Sequence, residues 1–263
     1  MLLAIDLENK FTTFGIYSSE NNKNLKLISY FSLKTDRSKS ADEIALILKL
    51  MLLDRNIVIK NINDIIISCV VPELLPVYQD VSKYLIKREP IIVSAGLKTG
   101  LNVKCENPKE VGSDRITRGV SAISKYDKNI IIISASSITT IDLINEKREF
   151  IGGLIVPGID LWQKSLFAET SKLPKVEIVS ANSVLGNSTI KAMQSGLYYG
   201  YKNSILGILD DIFREYNLDK SKIKIIITGI FAKLLLKQDS YKLIVDENLG
   251  LEGLRLIYEK NYS

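Results

Sequence analysis

Asn129-Ile130-Ile131-Ile132-Ile133, Ser134-Ala135-Ser136-Ser137 and Thr139-Thr140-Ile141-Asp142-Leu143 decide the fold class between them. The first is a short β-branched run, strand by composition. The second is a polar break that reads as a tight turn, and the third is a second strand. Phe150–Val156 predicts a third strand, closed by Pro157-Gly158. Helical segments follow over Ile159–Ala168 and from about Thr189 to Tyr216. Lys224–Ile227 is a further apolar strand before Thr228-Gly229, and Leu249–Tyr258 reads as a final helix.

The first half of the chain carries the same order. Leu2–Asp6, Thr12–Tyr17 and Leu25–Ser32 have strand composition, with polar breaks between them. Ala41–Leu53 has helical length and an apolar stripe after the polar stretch Thr35–Ser40. Ile65–Val71 is a buried-strand run stopped by Pro72, and Leu74–Leu85 and Pro90–Val93 predict a helix and a strand. Three close strands, helix, strand, helix thus occurs twice. This predicts an α/β protein of two related lobes, residues 1–115 and 116–263, with the boundary between Pro108 and Lys128. In such a duplicated fold the turns Asp6–Lys10 and Ser134–Thr139 are expected to face one another across a cleft.

Composition narrows the chemistry. The 263 residues are 46% hydrophobic and 25% charged, ordinary for a globular protein. There is no histidine, which excludes Ser-His-Asp and Cys-His catalysis and His-ligated zinc. Acid–base work falls to Asp, Glu, Lys, Tyr or Cys. Cys69 and Cys105 are the only cysteines, too few for a zinc cage or a disulfide framework. The expected location is the cytoplasm: no apolar run is long enough to span a bilayer, and MLLAID lacks a basic leader. The net charge of +5 is spread along the chain, so a solvated surface is expected rather than a nucleic-acid or membrane partner.

Gly112-Ser113-Asp114-Arg115 stands at the head of a predicted helix, after Asn107-Pro108. A carboxylate beside an arginine suits a general base next to an anion clamp. Taken alone, the same four residues read more readily as a helix N-cap with a surface ion pair.

The wider stretch Asn107-Pro108-Lys109-Glu110-Val111-Gly112-Ser113-Asp114-Arg115-Ile116 resembles the pantothenate signature of type III pantothenate kinases. Ordered matches run along the chain. They include Thr35-Asp36-Arg37-Ser38, Val70-Val71-Pro72, Lys98-Thr99-Gly100, Gly152-Gly153 with Pro157-Gly158-Ile159, and Lys172-Leu173-Pro174. Ala192-Met193-Gln194-Ser195-Gly196 and Leu251-Glu252-Gly253-Leu254-Arg255 complete the series. The resemblance implies the duplicated actin-like fold of acetate and sugar kinases. It also implies a cytoplasmic homodimer that makes 4′-phosphopantothenate from pantothenate, with ATP, Mg²⁺ and a monovalent cation (K⁺ or NH₄⁺). Carried over by position, Asp114 accepts the proton of the pantothenate hydroxyl. Gly112, Ser113 and Arg115 surround the substrate, and Thr189 reaches it from near the dimer partner. Cys105 stands where the family has an aromatic substrate contact, at a cost in stacking area.

The nucleotide side departs from the pattern. The family's Asp-x-Gly-Asn-Thr is here Asp6-Leu7-Glu8-Asn9-Lys10. Asp6, Asn9 and Lys10, with Ser137 of the second turn, are the residues left for ATP. Replacing the glycine by Glu8 is expected to strain the backbone by about 1–2 kcal/mol. Glu8 would also repel phosphate by about 4 kcal/mol at 4 Å and an effective dielectric of 20, and Lys10 would offset this as a point charge. In the second turn the family's Asp-Phe-Gly-Thr-Ala-Thr-Thr is Ser134-Ala135-Ser136-Ser137-Ile138-Thr139-Thr140, so Ser134 takes the place of the cation-site acid. Ile230 replaces the second glycine of Thr-Gly-Gly and is expected to clash with the nucleoside. Two readings follow: a kinase with a rebuilt ATP site, or a nucleotide-impaired homologue that binds pantothenate or serves as an accessory or regulatory subunit.

Overall fold

The structure, a computed structural model, describes residues 1–19, 25–236, 238 and 240–262. Its contacts divide the chain into one unit of Met1–Ser124 with Asn248–Ser263 and another of Lys125–Glu247. The first contains β1 (Leu2–Leu7), β2 (Phe11–Ser18), β3 (Lys26–Lys34), α1 (Ala41–Asp54), β4 (Asp64–Cys69), α2 (Leu75–Ile86), β5 (Ile91–Ile92), β6 (Asn102–Val103) and α3 (Ser113–Lys125). The second contains β7 (Asn129–Ala135), β8 (Ile138–Ile144), β9 (Glu149–Pro157), α4 (Ile159–Ala168), α5 (Thr189–Glu215), β10 (Ile223–Thr228) and β11 (Leu243–Val245). The last helix, α6 (Leu249–Tyr262), belongs to the first unit.

In the first unit the strand order is β3-β2-β1-β4-β5. β1 pairs antiparallel with β2 and parallel with β4. In the second, the unit's own strands run β11-β10-β7-β8-β9, with β7 antiparallel to β8 and parallel to β10. Read from the other edge, this is the order of the first unit. The duplication inferred from segment order is therefore a duplication of topology, down to the central strand that enters one hairpin and one crossover.

Central position explains composition. β1 and β7 have neighbours on both sides and helices against them, so Leu3, Ile5 and Leu7, and Ile131 and Ile133, are fully buried. In the first unit they pack with Phe14, Leu48, Leu52 and Val81. In the second they pack with Tyr201, Ile205 and Leu209 of α5. α1 begins where Ser40 and Glu43 close a reciprocal cap, the Ser40 N–H donating to Glu43 Oε2 at 2.8 Å and the Glu43 N–H to Ser40 Oγ at 3.3 Å.

A single cut at residue 115 assigns α6 to the second lobe, whereas its packing returns it to the first. The reason is steric and local. Gly253 of α6 meets the Thr117 carbonyl so closely that a Cβ would collide with it, and Gly250 meets the Asp6 carboxylate in the same way. α6 thereby closes over the end of β1 and the first turns of α3.

Candidate functional site

In the first unit, β1 delivers Asp6 to its C-terminal end, in register with Ser68 of β4. The chain then turns through Glu8-Asn9-Lys10 into β2. The turn is closed by the Glu8 N–H donating to the Phe11 carbonyl at 3.2 Å. It is also tied to the end of β3, because the Thr35 hydroxyl donates to the Glu8 carbonyl at 2.6 Å and the Thr35 N–H to the Lys10 carbonyl at 2.9 Å. Glu8 is not among the residues with positive φ, which among the described residues and outside glycine are Asn56, Lys87, Arg148 and Asn217. The backbone strain expected from a missing glycine is therefore absent: the turn is wound so that an L residue fits.

α3 starts at the neighbouring point. The Ser113 hydroxyl accepts from the Cys69 N–H at 3.0 Å and donates to the Cys69 carbonyl at 3.1 Å, pinning the helix start to the end of β4. The Gly112 carbonyl accepts from the N–H groups of Arg115 and Ile116 at 3.0 and 3.2 Å. Asp114, on the first turn, lays its Oδ1 over Gly112, where a Cβ would stand 2.6 Å away. Glycine is needed here for close approach and not for φ. Asp114 Oδ2 accepts from Arg118 Nη1 at 2.8 Å, one helical turn on.

Arg118 is the centre of a charge cluster. Its side chain is 4% exposed, and its Nη2 donates to Glu8 Oε1. The repulsive carboxylate expected at position 8 thus has a counter-ion. Three carboxylates, of Asp6, Glu8 and Asp114, crowd that one guanidinium. Burial, reinforced by Glu8, pushes the Asp6 carboxyl up to about 7, against the pull of Arg118. Glu8 is also raised, by burial acting against the same guanidinium. Asp6 Oδ1 is buried and has no hydrogen-bond partner among the described residues.

The remaining predicted residues of this unit are exposed or half-buried. Asn9 Oδ1 accepts from Arg37 Nη2 at 3.3 Å, and Lys10 Nζ stands 6.0 Å from the centre of the Phe11 ring. Arg115 is half-buried beside Asp114, and Cys105 is half-buried in the connection before α3.

In the second unit Ser134, 2% exposed, is the next-to-last residue of β7. The turn after it is held by backbone. The Phe231 N–H donates to the Ala135 carbonyl and the Gly158 N–H to the Ser137 carbonyl, each at 2.9 Å. A Cβ on Gly158 would collide with the Ser136 and Ser137 carbonyls. Gly229, at φ +94°, lies against the Ala135 carbonyl. The Ser137 hydroxyl donates to Asp160 Oδ2 at 2.7 Å, and Asp160 is buried at the start of α4. Ile230 is half exposed. Thr189, the exposed first residue of α5, lines a cavity of about 720 Å³ with Leu161, Trp162, Met193 and Leu197.

The structure therefore brings Asp6, Gly112, Ser113 and Asp114 into one locus of the first unit, and Ser134 and Ser137 into one locus of the second. Sequence reasoning missed Arg118 and Asp160. The signal for Arg118 was its i,i+4 spacing from Asp114; the signal for Asp160 was its place two residues after Gly158, in the first turn of α4.

The family model described as type III pantothenate kinase matches residues 2–211. Among curated relatives, the type III pantothenate kinase of Finegoldia magna is 39% identical, over 99% of this chain and 98% of its own length. That of Brevibacillus brevis is 38% identical over the whole of both chains. Among solved structures, a Campylobacter jejuni protein named for the Baf family of transcriptional activators aligns with TM-score 0.60 at 19% identity, covering 98% of this chain and 97% of its own. A Sinorhizobium meliloti protein named for 2-dehydro-3-deoxygalactonokinase aligns with TM-score 0.60 at 9% identity, covering 98% of each chain. At those identities the two structures speak for the fold alone, the duplicated actin-like α/β architecture.

Proposed function

The chain belongs to the type III pantothenate kinase family, and we propose that Asp114 is the base in the family's reaction, the ATP-dependent phosphorylation of pantothenate that opens coenzyme A biosynthesis. The observation that carries this is the mounting of Asp114. Its Oδ2 is fixed on Arg118, while Oδ1 lies over Gly112 at the head of α3. A general base needs one oriented oxygen within reach of the proton it takes.

In this reading the pantothenate hydroxyl gives its proton to Asp114 as its oxygen bonds to the terminal phosphorus of ATP. The bond from that phosphorus to the bridging oxygen breaks, and ADP leaves with the electron pair. Phosphoryl transfer asks mainly for positioning and charge stabilisation. Arg115 clamps the substrate carboxylate. Ser113 acts by holding the helix start, since its hydroxyl is engaged with Cys69. Cys105 and Thr189 supply further substrate contacts, Thr189 toward the partner of a homodimer. Asn9, Lys10 and Ser137 meet the nucleotide.

The buried, unpartnered Asp6 Oδ1 suits Mg²⁺, which is commonly bound through one or two carboxylates plus substrate phosphates. Such an ion, when bound, neutralises charge on the transferred group. A dedicated monovalent-cation site does not fit: Ser134 brings a hydroxyl without charge, so no step is assigned to K⁺ or NH₄⁺. The homodimer and the cytoplasmic location rest on the family.

The test is direct. Purified protein with pantothenate, ATP, Mg²⁺ and K⁺ is expected to yield phosphopantothenate by mass spectrometry. Asp114→Asn is expected to lower turnover by about 10²- to 10⁴-fold. No product at millimolar ATP from folded protein that binds pantothenate would refute the reading, and so would an undiminished Asp114→Asn.

A further inference from the structure

We infer that Arg118 is a positioning residue for the Asp114 base, and that Glu8, on the turn after β1, is the second anchor that holds Arg118 in place. The inference rests on the assignment of Asp114 above and adds to it a mechanical link from the β1–β2 turn to the base.

Three observations carry it. First, the guanidinium is forked between two elements: Nη1 donates to Asp114 Oδ2 at 2.8 Å and Nη2 to Glu8 Oε1. A planar fork held at both ends cannot rotate about its terminal bond without breaking one contact. Second, Arg118 is 4% exposed while Glu8 is 27% exposed and Asp114 14%. The cation is thus sealed in, and the two carboxylates face outward from it. Third, the contacts leave Asp114 asymmetric. Oδ2 is on Arg118, and Oδ1 is turned to the other side, over Gly112 and next to Val70. Arg118 therefore selects Oδ1 as the oxygen that accepts the proton.

Glu8 has two effects through this link. It stops the guanidinium from turning, which fixes Oδ2 and with it the direction of Oδ1. It also takes a share of the positive charge, so that the guanidinium is not given over to Asp114 alone. A carboxylate in a phosphate turn, which reads from sequence as damage, is in this arrangement part of the machinery of the base.

The experiment compares wild type, Glu8→Gln and Arg118→Lys in steady-state kinetics and in ¹⁵N spectra of the arginine guanidinium groups. Lysine keeps the charge and loses the fork. Arg118→Lys is expected to lower kcat about 10- to 100-fold, the scale of a misoriented catalytic group, with pantothenate KM within about twofold. Glu8→Gln is expected to lower kcat less, by about 3- to 10-fold, and Glu8→Asp to recover part of that loss. In the spectra, the Arg118 Nη protons are expected to be resolved in wild type and averaged in Glu8→Gln and in Asp114→Asn. If kcat of Glu8→Gln stays within about twofold of wild type, or the Arg118 signals are unchanged in both carboxylate variants, the link is refuted. If Arg118→Lys does not fold, Glu8→Gln decides the kinetics alone. If wild type itself shows no turnover, the assignment of Asp114 falls. The spectra then still decide the link: signals that collapse in both variants support it, and signals that do not overturn it.

Discussion

The turn after β1 and the turn after β7 occupy equivalent places in two units of one topology, and both lack the glycine that the family's pattern puts there. They solve the loss differently. In the first, the side chain that replaced glycine is a carboxylate, and a buried arginine from α3 receives it. In the second, Ser136 is small, and the turn is packed by Gly158 and Gly229 from the chain that follows β9 and β10. One turn is held by charge, the other by close backbone contact. A missing turn glycine therefore does not by itself predict backbone strain. What matters is whether another element supplies the counter-ion or the space.

Removing the counter-ion tests the charged turn directly. Arg118→Gln leaves Asp6, Glu8 and Asp114 crowded with no guanidinium between them. Breaking one side of a buried ion pair costs about 3–5 kcal/mol, so a large fall in the urea midpoint is expected. Glu8→Gln added to Arg118→Gln should restore part of it, because one uncompensated carboxylate is gone. If Arg118→Gln is as stable as wild type, the first turn is not held by charge.

The matching change in the second turn is Gly158→Ala. Its Cβ would meet the Ser136 and Ser137 carbonyls, and overpacking of this kind costs about 1–3 kcal/mol. The loss should be indifferent to salt and pH, since no charge is involved. A pH-dependent loss in urea unfolding would show that the two turns are less different than their contacts indicate.

How much of this was legible in the sequence follows from what each signal depends on. The isoleucine runs of β4, β7 and β10 were legible because a strand buried on both faces has one composition wherever it occurs. α4 was legible to its ends, since Gly158 caps it and its apolar stripe stops at Ala168. Gly112-Ser113-Asp114-Arg115 was legible as a helix head with chemistry. Three things were not. β11 has only three residues, too few for a periodic signal. The return of α6 to the first unit depends on Gly250 and Gly253 meeting Asp6 and Thr117, and nothing local to either partner announces such a contact. The Glu8–Arg118 pair joins residues 110 positions apart. Read locally, Glu8 is a defect and Arg118 a helix surface residue; only the fold makes them a pair.

The pH dependence of the first turn measures its crowding without touching Arg118. The Asp6 carboxyl is raised from 3.8 to about 7, first by burial and then by Glu8. Near pH 3 it is largely protonated in both folded and unfolded chains. Between pH 4 and 7 the folded chain keeps a proton that the unfolded chain has released, so stability should fall as pH rises across that window and level off above it. Glu8, raised in the same direction, adds to the slope. Asp6→Asn should remove Asp6's part: in metal-free protein the variant should match wild type near pH 3 and be the more stable of the two above pH 7, the gap opening across the window between. Ser134 is the next-to-last residue of β7, as Asp6 is of β1, and it carries no charge to titrate. Ser134→Asp should therefore transplant a falling slope into the second unit, since burial alone raises a carboxyl. If Asp6→Asn gains nothing at high pH, the carboxylates of the first turn are better solvated than their burial implies, and the contrast between a charged turn and a packed one loses its electrostatic half.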